Sequence, residues 1–316
     1  MAPETWHPLA TIALRGPGGE PVSWPRTLNG HGLIDLPPLH RGDHSLEATL
    51  PVPGGSARTV RVRPARRGTL VLEAAGRRPG RAAAAALEAT VRHMLRLGED
   101  LAPFYARIAG DADLGWAAAG AGRLLRSPTV FEDVVKTICT TNCAWSGTER
   151  MVGALVEHLG VRAPGAPEHG SAGRTFPTPA AMAAAPEPFY REVARAGYRG
   201  AYLRRIAADV ASGELDLEAI AGAPPDELPD ADLRARLEEL PGVGPYASAH
   251  IMLLSGRHAF LVLDSWTRPT YARLRGRPAA DRTIERRFRR YGPWAGLAFW
   301  LCVTRDWVED APPDLA

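Results

Sequence analysis

The chain has 316 residues, a formal net charge of +3, and 45% hydrophobic against 23% charged residues. That length supports two or three compact domains with real cores, and the balance excludes a disordered or fibrous chain. So small a net charge gives no global sign of a nucleic-acid partner, and the placement of charge along the chain must carry that question.

No apolar run reaches the roughly 18 residues that a membrane helix needs, so no membrane partner is expected. The stretch "MAPETWHPLATIALRG" has no basic run leading into an apolar core, so a secretory leader is not expected either. Cys139, Cys143 and Cys302 are too few to staple a chain this long and point to a reducing, cytoplasmic setting. Lys136 is the only lysine, whereas arginine is abundant beside much Ala, Gly and Pro. This reads as the compositional bias of a GC-rich genome, and it weakens any inference from arginine number alone.

Residues 1–80 are rich in Pro, Gly and β-branched residues, and "SARTVRVRPA" and "GTLVLEAA" have the pattern of short strands. A small antiparallel β-rich N-terminal domain is expected there. From 81 the period becomes helical: "RAAAAALEATVRHMLRLGED" places Leu87, Val91, Met94 and Leu95 on one face, with Gly98 as the expected stop. In "SPTVFEDVVKTICTTN" the expected cap is Ser127, with Pro128 in the first turn. Lys136 falls on the side of that helix opposite Val134, Val135 and Ile138. Residues 161–179 read as a Pro/Gly-rich surface loop. "FYREVARAGYRGAYLRRIAADVASG" reads as two helices around Gly197 and Gly200. The expected fold class is α+β, with 81–316 helical. A central helical subdomain spans about 115–255, and 81–114 plus 256–316 form a second.

In "LEELPGVGPYASAH" an apolar helical run stops, a Pro-Gly-Val-Gly turn follows, and a second helix begins near Pro245. Gly242 and Gly244 permit positive φ and close backbone approach. The second helix starts with unpaired N–H groups and a positive dipole end. Gly242, Val243 and Gly244 thus form a corner suited to a phosphate, with room for a structural monovalent cation. A plain helical corner has the same spacing. Downstream, "HAFLVLDSWTRPTYARL" sets Asp264 directly after the apolar run from Phe260 to Leu263 and ahead of another helix. An aspartate there can cap the helix, or stand as a carboxylate at the rim of a cleft.

A Pro-Gly-Val-Gly hairpin with an aspartate about 20 residues on resembles the helix-hairpin-helix DNA glycosylase superfamily. "FEDVVKTICTTNCAW", "FPTPAAM" with "AGYRGAYLRRIA", and "YGPWAGLAFWLCV" resemble further segments of that family in the right order, over about residues 82–307. "LRLGEDLAPFYARIAGD" is similar to the 3-methyladenine branch. The resemblance implies a DNA glycosylase of base excision repair acting on duplex DNA with a damaged base, working as a monomer in the bacterial nucleoid, with two helical subdomains after the β-rich domain.

The resemblance also implies roles. Asp264 is the catalytic carboxylate, stabilising positive charge on the sugar and orienting water. In bifunctional members a lysine forms a Schiff base with the sugar. By register that place is Tyr246 here, and a phenol cannot form an imine, so a monofunctional enzyme is expected. Tyr246 and His250 share a helix face and, with Trp266, are expected to line the base pocket. Aromatic rings there suit electron-poor alkylated purines. Trp145, Trp266 and Trp294 could equally be core. Asn142 is the expected plug that fills the stack when the base is flipped out, and here "ICTTNCAW" resembles the oxoguanine branch instead. Gly242, Val243, Gly244 and Arg268 are expected to hold phosphates, supported by nine arginines against Asp281 and Glu285 between Arg268 and Arg290. Arg199, Arg204 and Arg205 give weaker support. No cofactor or metal is expected, because the cysteine set of the superfamily's iron–sulfur branch is missing and Cys139 and Cys143 read as buried thiols. Two alternatives stay open: a glycosylase for oxidised or otherwise unusual bases, and a non-catalytic binder of damaged DNA.

Overall fold

The structure, a computed structural model, describes residues 5–308. Alternation builds the N-terminal sheet. In the strand Arg58–Pro64, Val60 and Val62 point inward, and in Thr69–Ala75 Leu70, Leu72 and Ala74 do so. Their register, Val60 opposite Ala74 and Val62 opposite Leu72, puts the apolar set on one face. Trp6–Ala13 (β1), Leu39–Arg41 (β2) and Leu46–Leu50 (β3) join these two (β4 and β5) in an antiparallel sheet of order β1-β5-β4-β3-β2. On the other face Glu73 is gripped by Arg61 and Arg63 at 2.9 and 2.8 Å.

A short helix, α1 (Trp24–Leu28), and the long α2 (Arg81–Met94) cover the sheet. α2 places Leu87, Val91 and Met94 in the sheet's own core, beside Ile12, Leu50 and Leu125. Residue 80 therefore marks where strands give way to helices, not where the sheet's core ends. α2 stops before the expected Gly98. Leu95 caps it and Arg96 takes the left-handed conformation at φ 55°, held there by bonds to Glu99 and to the Leu254 carbonyl.

The helical region continues with α3 (Ala102–Ile108), α4 (Val130–Thr140), α5 (Trp145–Leu159), α6 (Pro179–Ala184), α7 (Arg199–Ser212), α8 (Leu217–Gly222), α9 (Asp230–Glu238), α10 (Pro245–Leu254), α11 (Thr267–Arg275), α12 (Asp281–Phe288), α13 (Ala295–Val303) and α14 (Arg305–Val308). The cap of α4 is Thr129, whose hydroxyl accepts the Glu132 N–H, two residues beyond the expected Ser127. The Ser127 N–H is instead bound by Asp133 Oδ1 at 3.0 Å. α4 has no solvent side along Val130–Cys139, because every residue there is buried. α10 is likewise buried from Ala247 to Leu254. These two helices pack together at the centre, with α13 against α10. The Trp300 indole donates to the Gly30 carbonyl at 2.8 Å and pins α13 to the N-terminal module. Among the described residues no helix is long and apolar enough to cross a membrane.

Candidate active site and nucleic-acid interface

The α9–α10 hairpin depends on one glycine. Gly242 lies at φ 86°, and a Cβ there would sit 2.7 Å from Tyr202 Cδ2. Both conditions require glycine, and together they seat the turn on α7. The Val243 N–H, expected to face a phosphate, instead donates to the Leu240 carbonyl at 3.0 Å, and the Val243 side chain is buried. Val243 anchors the turn from inside, leaving Gly242, Gly244 and the first-turn amides of α10 at the edge. Ser248 Oγ on α10 donates to Glu238 on α9 at 2.8 Å and locks the two helices together.

A cleft of about 660 Å³ opens at this corner, bounded by the end of α4, the start of α7, the hairpin and the segment before α11. Asp264, Tyr246, Asn142, Gly242, Gly244 and Arg268 all line it. Residues some 120 positions apart in sequence thus meet at one surface. Asp264 is half-buried and caps the turn that leads into α11: its Oδ1 accepts the Trp266 and Thr267 N–H groups at 2.9 and 2.6 Å. Thr267 Oγ1 accepts the Asp264 N–H in return at 2.8 Å, so the bonds are reciprocal. Both acceptances fall on Oδ1, and Oδ2 accepts nothing from the described residues. The two readings of Asp264 therefore coexist, since one oxygen fixes the rotamer and the other is left for the cleft.

The Tyr246 hydroxyl meets Thr140 Oγ1 at 3.0 Å, and burial pushes its phenol up to about 12. It is a neutral aromatic wall rather than a base. Asn142 follows α4 in the left-handed conformation at φ 47°, exposed, and its amide donates to the Tyr198 hydroxyl at 3.2 Å. Sequence reasoning missed Tyr198. It is 53% exposed, packed edge-on against Tyr202 and beneath the Arg199 guanidinium. The signal was "GYRG", where Gly197 takes a positive φ and leaves the next ring outside. Arg199 itself is buried and donates to the Thr141 carbonyl, so it supports the Asn142 loop. Cys143, expected to be buried, is exposed at the cleft, with its thiol bound to the Cys139 carbonyl and Thr148; Cys139 is buried as expected.

Behind Tyr246 lies a layer of rings. His250 is only 5% exposed and lies outside the cleft lining; it stacks on Trp300 at 5.7 Å and meets His31 edge-on at 6.3 Å. Neither His250 nitrogen has a hydrogen-bond partner among the described residues, and burial lowers its pKa to about 4. Trp266 stands 37% exposed beside Trp307 at 4.7 Å and Trp300 at 6.4 Å, also outside the cleft lining. Trp145 is 41% exposed, so neither it nor Trp266 is core, whereas Trp294 packs partly buried against the core. The places of Trp300 and Trp307 in this ring layer were not legible, because neither the apolar α13 nor the short α14 that carries Trp307 gives a sign of which ring it presents.

The arginine-rich stretch is less basic than its sequence. Arg268 is bidentate to Asp281 at 2.8 and 3.0 Å, Arg275 and Arg287 share Asp113, and Arg290 reaches Asp111. Asp111 and Asp113 arrive from the loop after α3, out of sight of any local charge count. Arg268 lines the cleft nonetheless. Lys136 is fully buried, 2.6 Å from Glu132. Its amine is closed off by α4's packing, not turned to an open side of the helix. Among the described residues no group of three or more His, Cys, Asp and Glu is placed to hold a metal ion.

Solved structures of DNA glycosylases share this architecture. The 3-methyladenine DNA glycosylase from Archaeoglobus fulgidus matches with a TM-score of 0.71 at 19% identity, over 95% of this chain and 99% of that one. The 8-oxoguanine glycosylase/lyase from Clostridium acetobutylicum, in complex with DNA containing cytosine opposite 8-oxoguanine, matches with 0.61 at 18% identity, over 86% and 98%. MBOgg1 in complex with a low-affinity DNA ligand matches with 0.61 at 18% identity, over 85% and 98%. Neither a protein-family model nor a curated protein sequence matches the chain. At these identities the likeness is one of fold, and what the chain does rests on its own side chains.

Proposed function

We propose that this protein is a monofunctional DNA glycosylase that flips a damaged base, preferentially an alkylated purine, and hydrolyses its N-glycosidic bond. The carrying observation is Asp264, fixed through Oδ1 by the turn that leads into α11 while Oδ2 is left to a cleft walled by Tyr246. As the glycosidic bond breaks, positive charge grows on the sugar. A carboxylate held in place stabilises that charge without reorganising, and it orients the water whose oxygen bonds to C1′ and whose proton is lost. An N-alkylated purine departs as a neutral base and needs no strong acid, which suits a cleft whose phenol is held at about 12. A cationic base also gains from stacking on aromatic faces.

The absence of lyase chemistry rests on Tyr246 at the hairpin register and on the burial of Lys136. Asn142 with Tyr198 at the cleft rim is the proposed plug and its support. That same asparagine is the observation favouring the second reading, release of an oxidised purine. The deciding experiment is a base-release panel on duplexes carrying one alkylated purine, oxoguanine, hypoxanthine or uracil, resolved with and without alkali. Release of the alkylated purine with scission only after alkali is expected. Release of oxoguanine alone would transfer the assignment to the second reading, and release of nothing despite salt-dependent binding would leave a binder of damaged DNA.

A further inference from the structure

At the opposite end of α10 from the hairpin lies a second hollow, of about 440 Å³, lined chiefly by Arg92, His93, Arg96, Glu99 and Arg126. Arg96 donates to the carbonyl of Leu254, the last residue of α10, so the helix length of roughly 15 Å separates this hollow from the hairpin. Its charges do not balance. Arg92 Nε pairs with Glu88 at 2.8 Å and Arg96 Nε with Glu99 at 2.8 Å. The other Glu99 oxygen is taken by His258 at 2.7 Å. Arg126 is the remainder: its Nε and Nη2 reach only the His93 carbonyl and His93 Nδ1, both at 3.0 Å, and no carboxylate of the described residues is within ion-pairing distance. Asp133, Glu99 and Glu218 act on it only from farther away, and burial with Arg96 lowers its pKa to about 10. The bond into His93 Nδ1 leaves that imidazole's proton on Nε2, a further donor, and burial keeps the ring neutral, with its pKa down to about 4. A half-buried guanidinium with no counter-ion among the described residues, beside two more guanidiniums and an imidazole N–H, is a partly desolvated donor set arranged for an anion.

We propose that this hollow binds a phosphate-class oxyanion, gripped by Arg126 and Arg92 with Arg96 behind them. The anion would join the end of α2 to the start of the helical region and to the end of α10. Its source is either free phosphate, including a phosphate monoester, or a backbone phosphodiester of DNA bound across this face. The test uses the full chain in thermal melts with potassium phosphate against potassium chloride at matched ionic strength. A saturable rise in Tm with phosphate is expected, lost in Arg126→Gln and shifted to higher phosphate in Arg92→Gln, the latter a half-exposed position whose loss removes one i,i+4 surface pair. The same variants are then titrated with undamaged duplex over a salt series. A slope of log affinity against log salt reduced by about one would assign the site to DNA. An unchanged slope with the phosphate effect intact would assign it to a free anion. The absence of a phosphate-specific rise together with an unchanged slope, or a rise that both variants keep, overturns the proposal.

Discussion

Replacing Asp264 by asparagine separates its two jobs. Asparagine keeps an oxygen to accept the Trp266 and Thr267 N–H groups, now at 2.9 and 2.6 Å, and ranks with aspartate as a helix cap. Only the charge–dipole part of the cap is lost, about 0.3–1 kcal/mol. For a chain of this size that lowers Tm by no more than about 4 °C. Alanine removes the cap as well, costing about 1 kcal/mol further. Under the proposed mechanism the reaction responds differently, because both variants lose the carboxylate that would face the developing cation. By analogy with deleting one preorganised group from a site, base release should fall about 10²–10³-fold in each. Duplex affinity should stay level or rise slightly, since a negative charge has left a DNA-facing cleft. The assay is single-turnover base release with enzyme in excess over an alkylated-purine duplex, beside anisotropy titrations and thermal melts of both variants. A rate for Asp264→Asn within a few-fold of the unsubstituted protein refutes the catalytic assignment. So does a rate loss that tracks Tm across the two variants, which would reduce Asp264 to its cap.

Three further outcomes are expected. Borohydride added during turnover should trap no protein–DNA adduct, because Lys136 is buried against Glu132; a trapped band that survives Lys136→Arg would place an amine nucleophile elsewhere. Gly242→Ala forces a Cβ to 2.7 Å from Tyr202 at φ 86°. It should destabilise by about 1–3 kcal/mol and weaken duplex binding, whereas retained binding in a filter or anisotropy assay would remove the turn from the DNA interface. Acid should destabilise the fold. Burial lowers His31 to about 3 and His250 to about 4, from 6.5. The unfolded chain therefore binds more protons below about 6.5, and stability falls with pH from there to about 4, by up to about 1.4 kcal/mol per unit for each ring. Half-buried His93 acts in the same sense. Asp133, raised by burial to about 6, acts in the opposite sense below that value and offsets one imidazole. Urea melts at pH 7, 6 and 5 should show the loss, and His250→Phe, which keeps a ring against Trp300, should shrink it. A loss as steep in that variant would clear His250.

The hairpin was legible because its chemistry is local: Pro-Gly-Val-Gly between two apolar runs fixes a turn whatever surrounds it. Asp264 was legible for the same reason, both as a cap and as the end of an apolar run. The strands β4 and β5 showed in their alternation. What stayed hidden was set by tertiary packing. Lys136 and its neighbours suggested a helix with an open side, but α4 runs through the centre and buries its whole circumference. The left-handed Arg96 that ends α2 ahead of Gly98 depends on a carbonyl 158 positions away. The arginine stretch looked free because its partners Asp111 and Asp113 come from another part of the chain. Tyr198 and Trp300 matter through exposure and stacking, which periodicity does not report.

The contact of His31 with His250, and the bond from Trp300 to Gly30, mean that the ring layer behind the cleft is assembled partly by the N-terminal module. That module is thus a tenant of the ring layer and not a detachable handle. Trimming the chain to its helices would remove a wall from behind the cleft, not merely shorten the protein. Substrate range could also drift through changes near residue 31, more than 200 positions from the hairpin, without touching a single residue of the cleft.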